Sequence, residues 1–218
     1  VATPLHIERL DAVVRALLDS GATSVLDLGC GPGELLLRLR EHPQFVRLLG
    51  IDIDERALAD ARFALGIDWL RPDTRLSVCL GSFEEVDPEL KGFDAAVMLE
   101  TIEHIDPGHL PRVERAVFAG MHPRLVLVTT PNQEYNVLHG MVAGRKRHPG
   151  HHFEWTRAQF QQWASGVAQR HGYSVSFADL GPPDPVHGSS TQMARFDTLR
   201  VRPLAQRGAL PPTIDTAR

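Results

Sequence analysis

Two carboxylates and an imidazole fall within one short stretch, Glu100-Thr101-Ile102-Glu103-His104, directly after the apolar run 93–99. A helical turn there would place Glu100, Glu103 and His104 at i, i+3 and i+4, on one face. Carboxylate oxygens with an imidazole nitrogen suit a hard or borderline divalent cation. A second cluster, His151-His152-Phe153-Glu154-Trp155, lies about fifty positions on and could supply a further ligand. The plainer alternative is a solvated helix start, with Glu103 favoured by the positive end of the helix dipole. Spacing alone leaves both readings open, because short motifs carry a real false-positive rate.

A second constellation concerns a nucleotide-like ligand. Val25-Leu26-Asp27-Leu28-Gly29-Cys30-Gly31-Pro32-Gly33 reads as a strand, a glycine turn and a helix start. Glycines let the backbone approach a ligand at a helix N-terminus. Gly50-Ile51-Asp52 ends the next strand, where an acid can accept hydrogen bonds from ribose hydroxyls, and Gly81-Ser82-Phe83 ends the third. Together these segments resemble the class I S-adenosylmethionine-dependent methyltransferases, a doubly wound α/β fold whose last strand is antiparallel. The resemblance implies that the glycine loop holds the methionine portion and Asp52 the ribose. The cofactor positions it implies are Asp27, Gly29, Gly31, Gly33, Asp52, Ile53, Ser82, Phe83 and Leu99.

Three further segments narrow the resemblance. Thr130-Pro131-Asn132-Gln133-Glu134-Tyr135-Asn136, His151-His152-Phe153-Glu154-Trp155-Thr156-Arg157 and Ser190-Thr191-Gln192-Met193-Ala194 are similar to the bacterial branch of the Hen1 family of RNA 3′-terminal 2′-O-methyltransferases. The likeness runs from about Leu5 to Phe196. It implies a divalent metal, Mn²⁺ favoured and Mg²⁺ the second choice, held by the catalytic set Glu100, Glu103, His104 and His151. His152 is then the bland neighbour. The family often has an acid before the ligand histidine, where this chain has Gly150, so a carboxylate that orients His151 is expected to be missing, weakening metal affinity. The implied substrate is an RNA 3′ end, such as a cleaved tRNA, and the implied partner an RNA kinase-phosphatase-ligase.

The chemistry agrees with such a site. A ribose hydroxyl is almost wholly protonated at neutral pH, whereas the sulfonium donor already has a good leaving group. Activation and alignment of the oxygen are the whole task. Only an RNA 3′ end offers a free 2′,3′-diol. Arg145, Lys146 and Arg147, just before His151, are expected to contact phosphate, and Asn132, Glu134, Tyr135 and Asn136 to shape the substrate side. Two rivals remain. A quinone- or catechol-type O-methyltransferase shares the glycine loop and Glu100-x-x-Glu103-His104, but not His151-x-Phe153-Glu154-Trp155. A module that merely binds the RNA end needs neither Asp52 nor a complete ligand set.

The elements that must position these residues follow from hydrophobic period and caps. Residues 5–19 and 34–40 read as helices, as does the stretch from the Asp54 cap through Leu65. Asp106 is expected to cap a helix with Leu110, Val113, Val117 and Phe118 inward. A Thr156–Gln159 capping box opens another helix to about His171. Residues 24–28, 46–53, 76–80, 93–99 and 125–129 are short apolar strands, and 173–178 with 192–198 form a closing antiparallel pair. Residues 131–155 show no element of their own. The domain is expected to span 1–198, with 199–218 a loose tail carrying four arginines and three prolines.

The 218 residues, 43% hydrophobic and 23% charged, fit one ordinary domain. A formal charge of −4 argues against broad nucleic-acid coating but not against a local basic patch. Cys30 and Cys79 read as reduced, buried thiols of a cytoplasmic protein, and no apolar run reaches membrane-spanning length. The chain begins at Val1, which suggests a piece of a longer protein.

Overall fold

In the computed structural model, which describes residues 3–68, 73–142 and 144–199, seven strands form a single sheet in the order β3-β2-β1-β4-β5-β7-β6. Strands β1 (Ser24–Leu28), β2 (Arg47–Asp52), β3 (Leu76–Leu80), β4 (Ala95–Leu99) and β5 (Leu125–Pro131) run parallel. β7 (Thr191–Thr198) is antiparallel to both β5 and β6 (Tyr173–Leu180). This is the doubly wound sheet with its last strand reversed that the sequence implied.

Alternation along the central strands divides the core between the two faces. Ala96, Met98, Val126 and Val128 pack with Val113, Val117, Phe118 and Phe160 on one side. Ala95, Val97, Leu125 and Leu127 pack with Val13, Leu17, Leu36 and Leu58 on the other. The first face is covered by α4 (Leu110–Glu114), which widens into a π-helical stretch (Arg115–Met121), and by α5 (Arg157–His171). The second is covered by α1 (Pro4–Asp19), α2 (Glu34–Leu39) and α3 (Glu55–Leu65). Each fully buried Leu, Val or Phe contributes on the order of 1.5–3 kcal/mol, so both layers are held firmly against the sheet. Because β1 to β5 are parallel, their C-terminal ends lie at one edge, and the winding reverses between β1 and β4. Crevices of such sheets open there.

The caps of α3 and α5 form as expected: Asp54 accepts from the Arg56 amide, and Thr156 and Gln159 make a reciprocal box. Three expectations change. Asp106 closes a turn, accepting from Gly108 N at 2.8 Å, and α4 starts only at Leu110, after a Pro107-containing stretch. Cys79 is exposed, because β3 is an edge strand; Cys30 is buried. Residues 131–155 hold a 3₁₀ helix, Gln133–His139, capped by Asn132, and a bridge from Asn132 to Trp155 ties the segment's two ends together. Short, irregular elements of this kind leave no hydrophobic period to read. Of the expected tail, Leu199 donates to Gly172 O, and 200–218 lie outside the described residues.

Candidate active site

Glu100 does not enter a helix. It follows β4 in the left-handed region, φ +50°, where its amide donates to both Thr129 O (3.2 Å) and Thr129 Oγ1 (3.0 Å). Such a backbone is strained for a residue with a Cβ and persists only where the surroundings impose it. Thr101 then turns the chain against Gly29. A Cβ on Gly29 would lie 2.5 Å from Thr101 Cγ2, and Gly29 itself has φ +78°. Ile102, Glu103 and His104 form one 3₁₀ turn, with Ile102 anchored in the core. The shared α-helical face expected for the two glutamates and His104 is therefore replaced by a strand-end kink and a 3₁₀ turn. Among the described residues the groups within ligand distance of one another are His104, His148 and His151, and neither glutamate joins them.

Glu103 is wholly buried, which removes the solvated-helix alternative. Thr130 Oγ1 donates to its Oε2 at 2.9 Å, while Glu103 Oε1 and Glu100 Oε1 are buried without any hydrogen-bond partner. Burial pushes the Glu103 carboxyl well above the ordinary range, and the neighbouring Glu100 adds to this. Burial also raises Glu100, partly offset by Arg9, whose guanidinium lies 3.0 Å from its Oε2. Two partnerless buried carboxylate oxygens are costly unless something cationic satisfies them. This is the fit expected of residues that hold a divalent ion.

The imidazoles complete the arrangement. The rings of His104 and His151 lie 4.7 Å apart, edge to face, and His148 adjoins both. One nitrogen from each of the three falls within 4.8 Å of the others. His104 Nδ1 is 3.1 Å from Gly150 O, which can only accept, so His104 carries its proton on Nδ1 and leaves the Nε2 lone pair free. His151 Nδ1 donates to Glu154 Oε1 at 2.6 Å, with the same consequence. His152 is exposed, and its amide donates to Glu103 O at 2.7 Å.

Glu154 overturns one expectation. Gly150 was to leave His151 without an orienting carboxylate, yet Glu154, three residues later, supplies it. Its Oε1 accepts from His151 and from the Arg147 amide (2.6 Å), and its Oε2 from Asn136 Nδ2 (2.6 Å). Burial raises its carboxyl, but these three donors more than compensate and hold it below the usual glutamate range. Carboxylates behind ligand histidines commonly fix tautomer and ring orientation.

The basic loop divides by role. Arg147 turns inward, donating to Asn136 Oδ1, Ser190 O and Oγ, and Asn132 O. Lys146 donates to the carbonyls of His151 and His152. Two of the three cations expected on phosphate are thus engaged with the loop's own backbone and side chains. Arg145 is exposed and its side chain makes no hydrogen bond among the described residues.

At the strand ends beside this centre lies a cavity of about 540 Å³. Gly29, Asp52, Ile53, Ser82 and Phe83 line it, together with Glu100, Thr101, His104 and His152. Asp52 accepts from Gly31 N (2.8 Å) and Asp54 N (2.9 Å), one bond at each oxygen. Of the other expected cofactor residues, Asp27, Gly31, Gly33 and Leu99 do not line the cavity. Gly31 braces Asp52; a Cβ on Gly33 would press on Leu65 (3.0 Å); Leu99 packs on the core. Asp27 is buried, with Oδ2 unpartnered, and burial followed by repulsion from Asp52 pushes its pKa up to about 7. Sequence reasoning missed Thr129, Thr130, Arg9 and His148. Only the i+3 spacing of Glu154 from His151 was there to be read.

A family described as a methyltransferase domain matches residues 25–124. The small RNA 2′-O-methyltransferase of Xenopus tropicalis is 37% identical over 186 residues, covering 83% of this chain and 50% of that protein. The Arabidopsis thaliana enzyme of the same description is 32% identical, with 88% and 22% covered. The chain spans about half the length of the first of these relatives. Among solved structures, the methyltransferase domain of bacterial CtHen1 superposes with a TM-score of 0.81 at 39% identity, over 88% of this chain and 99% of that domain. The fold is that of a class I S-adenosylmethionine-dependent methyltransferase, and the chain belongs to the Hen1 family.

Proposed function

We propose that this domain transfers the methyl group of S-adenosylmethionine to the 2′-oxygen of the 3′-terminal nucleotide of RNA, with a divalent ion at Glu100, Glu103, His104 and His151. The observation that carries the reading is the pair of buried, partnerless carboxylate oxygens on Glu100 and Glu103, next in the chain to His104, whose tautomer, like that of His151, leaves Nε2 free. The imidazoles already lie within ligand distance of one another, and the carboxylates would close on them when the ion binds. An ion held there supplies Lewis acidity and binding for a terminal diol.

The chain's own residues do the rest. Asp52 offers its remaining lone pairs to the ribose of the cofactor, while Ile53 and Phe83 wall the cavity. Glu100, Thr101 and His104 bound both the cavity and the imidazole cluster, so donor and acceptor meet there. In the transfer the S–CH₃ bond breaks as the O–CH₃ bond forms, the sulfonium becomes a thioether, and the hydroxyl proton leaves to solvent. No protein nucleophile is required. Two carboxylates and two neutral imidazoles, without thiolate, suit a hard or borderline divalent ion rather than a soft one; the preference for Mn²⁺, with Mg²⁺ second, rests on the sequence resemblance. A cleaved tRNA as substrate and an RNA kinase-phosphatase-ligase partner rest on the sequence resemblance, and a cytoplasmic setting on the reading of the two cysteines as reduced thiols. No described helix is long and apolar enough to cross a membrane.

The test is methyl transfer to a short RNA ending in a 2′,3′-diol, a 3′-phosphate or a 2′-deoxy sugar, each with Mn²⁺ or a chelator. Transfer to the diol alone, abolished by the chelator, is expected; equal transfer to the 3′-phosphate would sink the reading. His151→Ala should be the damaging histidine substitution and His152→Ala the mild one.

A further inference from the structure

Beside the imidazole cluster, residues 140–142 and 144–151 border a groove of about 710 Å³. This is within the range of small-ligand sites. Among the described residues, Met141, Val142, Arg145, His148 and His151 line it. The cofactor cavity is lined by His104, whose ring adjoins those of His148 and His151 on this groove, so the two spaces border one histidine cluster.

Of the three imidazoles, His148 differs in one respect. Its Nδ1 accepts the Gly150 amide at 3.0 Å. An accepting Nδ1 carries no proton, so the neutral ring holds its proton on Nε2. His104 and His151 have the opposite tautomer, with Nδ1 donating and Nε2 bare. A nitrogen that bears a proton cannot ligate a metal, so two of the three clustered rings offer lone pairs and the third offers an N–H. Gly150 alone sets two of these states, its carbonyl facing His104 and its amide His148.

We infer that His148 is a substrate-binding donor rather than a metal ligand, and that with Arg145 it holds the phosphodiester joining the last two nucleotides of the RNA. The inference rests on the 3′-terminal methylation proposed above. An anion fits because Arg145, exposed and with no side-chain hydrogen bond among the described residues, lies on the groove, and no acid is among its described lining residues. The exposed Val142, with Met141 beside it, offers an apolar surface to a base of any identity. The groove is continuous with the metal centre through His151, so a strand fixed there by its terminal diol leaves along the groove.

The experiment pairs Mn²⁺ affinity, read by electron paramagnetic resonance, with methyl-transfer kinetics on two RNAs. One has an ordinary terminal linkage and the other a neutral methylphosphonate at that linkage. His148→Ala should bind Mn²⁺ within about twofold of wild type and raise the apparent KM for ordinary RNA about tenfold, a loss near 1.4 kcal/mol. Wild type should discriminate against the methylphosphonate about tenfold, and His148→Ala should not. His148→Gln, which keeps an N–H, should recover part of the loss, and Arg145→Ala should reduce the salt slope of binding by about one. A tenfold fall in Mn²⁺ affinity for His148→Ala makes it a ligand and overturns the inference, as does an unchanged KM. A wild-type protein inactive on every RNA sinks the proposed reaction itself; an active one indifferent to the methylphosphonate sinks only the groove.

Discussion

Glu154 offers the sharpest test of how the centre is built, through Glu154→Gln. The wild-type carboxylate accepts three short bonds, two at Oε1 and one at Oε2, and is held ionised by them. Glutamine matches its shape but brings an amide donor in place of one oxygen. If the amide faced Asn136 Nδ2, two donors would oppose each other. Asn136 cannot flip in response, because its Oδ1 is fixed by Arg147 Nε at 2.5 Å. If the amide faced His151, that ring would lose its acceptor and its enforced tautomer. The first placement orphans one buried donor, at a cost of about 1–3 kcal/mol; the second orphans two, His151 Nδ1 and the Arg147 amide, and costs more. At about 1.4 kcal/mol per decade the first cost is roughly five- to 150-fold, which brackets the 10–100-fold typical of residues behind metal ligands. Calorimetric titration with Mn²⁺ should show that weakening in a protein whose circular dichroism is unchanged. Glu134→Gln is the control, since Glu134 pairs with Arg157 and touches no histidine. Wild-type Mn²⁺ affinity in folded Glu154→Gln, or an equal loss in Glu134→Gln, would refute the reasoning.

Gly29→Ala should cost about 1–3 kcal/mol from its left-handed backbone, with cofactor binding lost as the new Cβ meets Thr101 Cγ2. Adding Thr101→Ser, which removes that carbon, should restore part of the binding by fluorescence titration but not the backbone term. Asp27→Asn should stabilise the cofactor-free protein at high pH. The folded-state pKa of Asp27 is raised to about 7, so its burial destabilises increasingly as pH rises from 3.8 to 7. The advantage, on the order of 4 kcal/mol at most, should be full at pH 8 and shrink towards pH 4 in urea unfolding. Arg147→Ala should lower stability by about 2–4 kcal/mol through its lost bonds to Asn132, Asn136 and Ser190. Arg145→Ala should stay within about 0.5 kcal/mol, and equal thermal shifts for the two would restore both to a common surface role.

The strands, most helices and the doubly wound class with its closing antiparallel pair were legible because they rest on local periods and caps. β1 and β3 begin and end where the apolar runs do, and the Thr156–Gln159 box marks the start of α5. What could not be read depends on side chains meeting across the fold. Glu100 was assigned to a helical turn because its spacing allows one, but the Thr129 hydroxyl on a neighbouring strand draws the backbone into a left-handed kink. Arg147 looked like a free cation because the acceptors that bury it, Asn132 and Ser190, lie fifteen and forty-three positions away. The loop 131–155 looked featureless for the same reason: polar bonds hold it, and these leave no pattern in hydrophobicity.

Gly150 shows how a departure from a family's usual residue can be absorbed. An acid before the ligand histidine would orient that ring from its own loop, whereas here the orientation comes from Glu154, three positions after it. The position is not left idle. A Cβ there would stand 3.0 Å from His148 Nδ1 and 3.3 Å from His104 Nδ1, so a side chain would wedge between the two rings. The bare backbone instead lets one residue accept from His104 and donate to His148. A glycine at this position thus defines the tautomers of two rings through its backbone, and the centre depends on which atoms face the histidines more than on which residue precedes them.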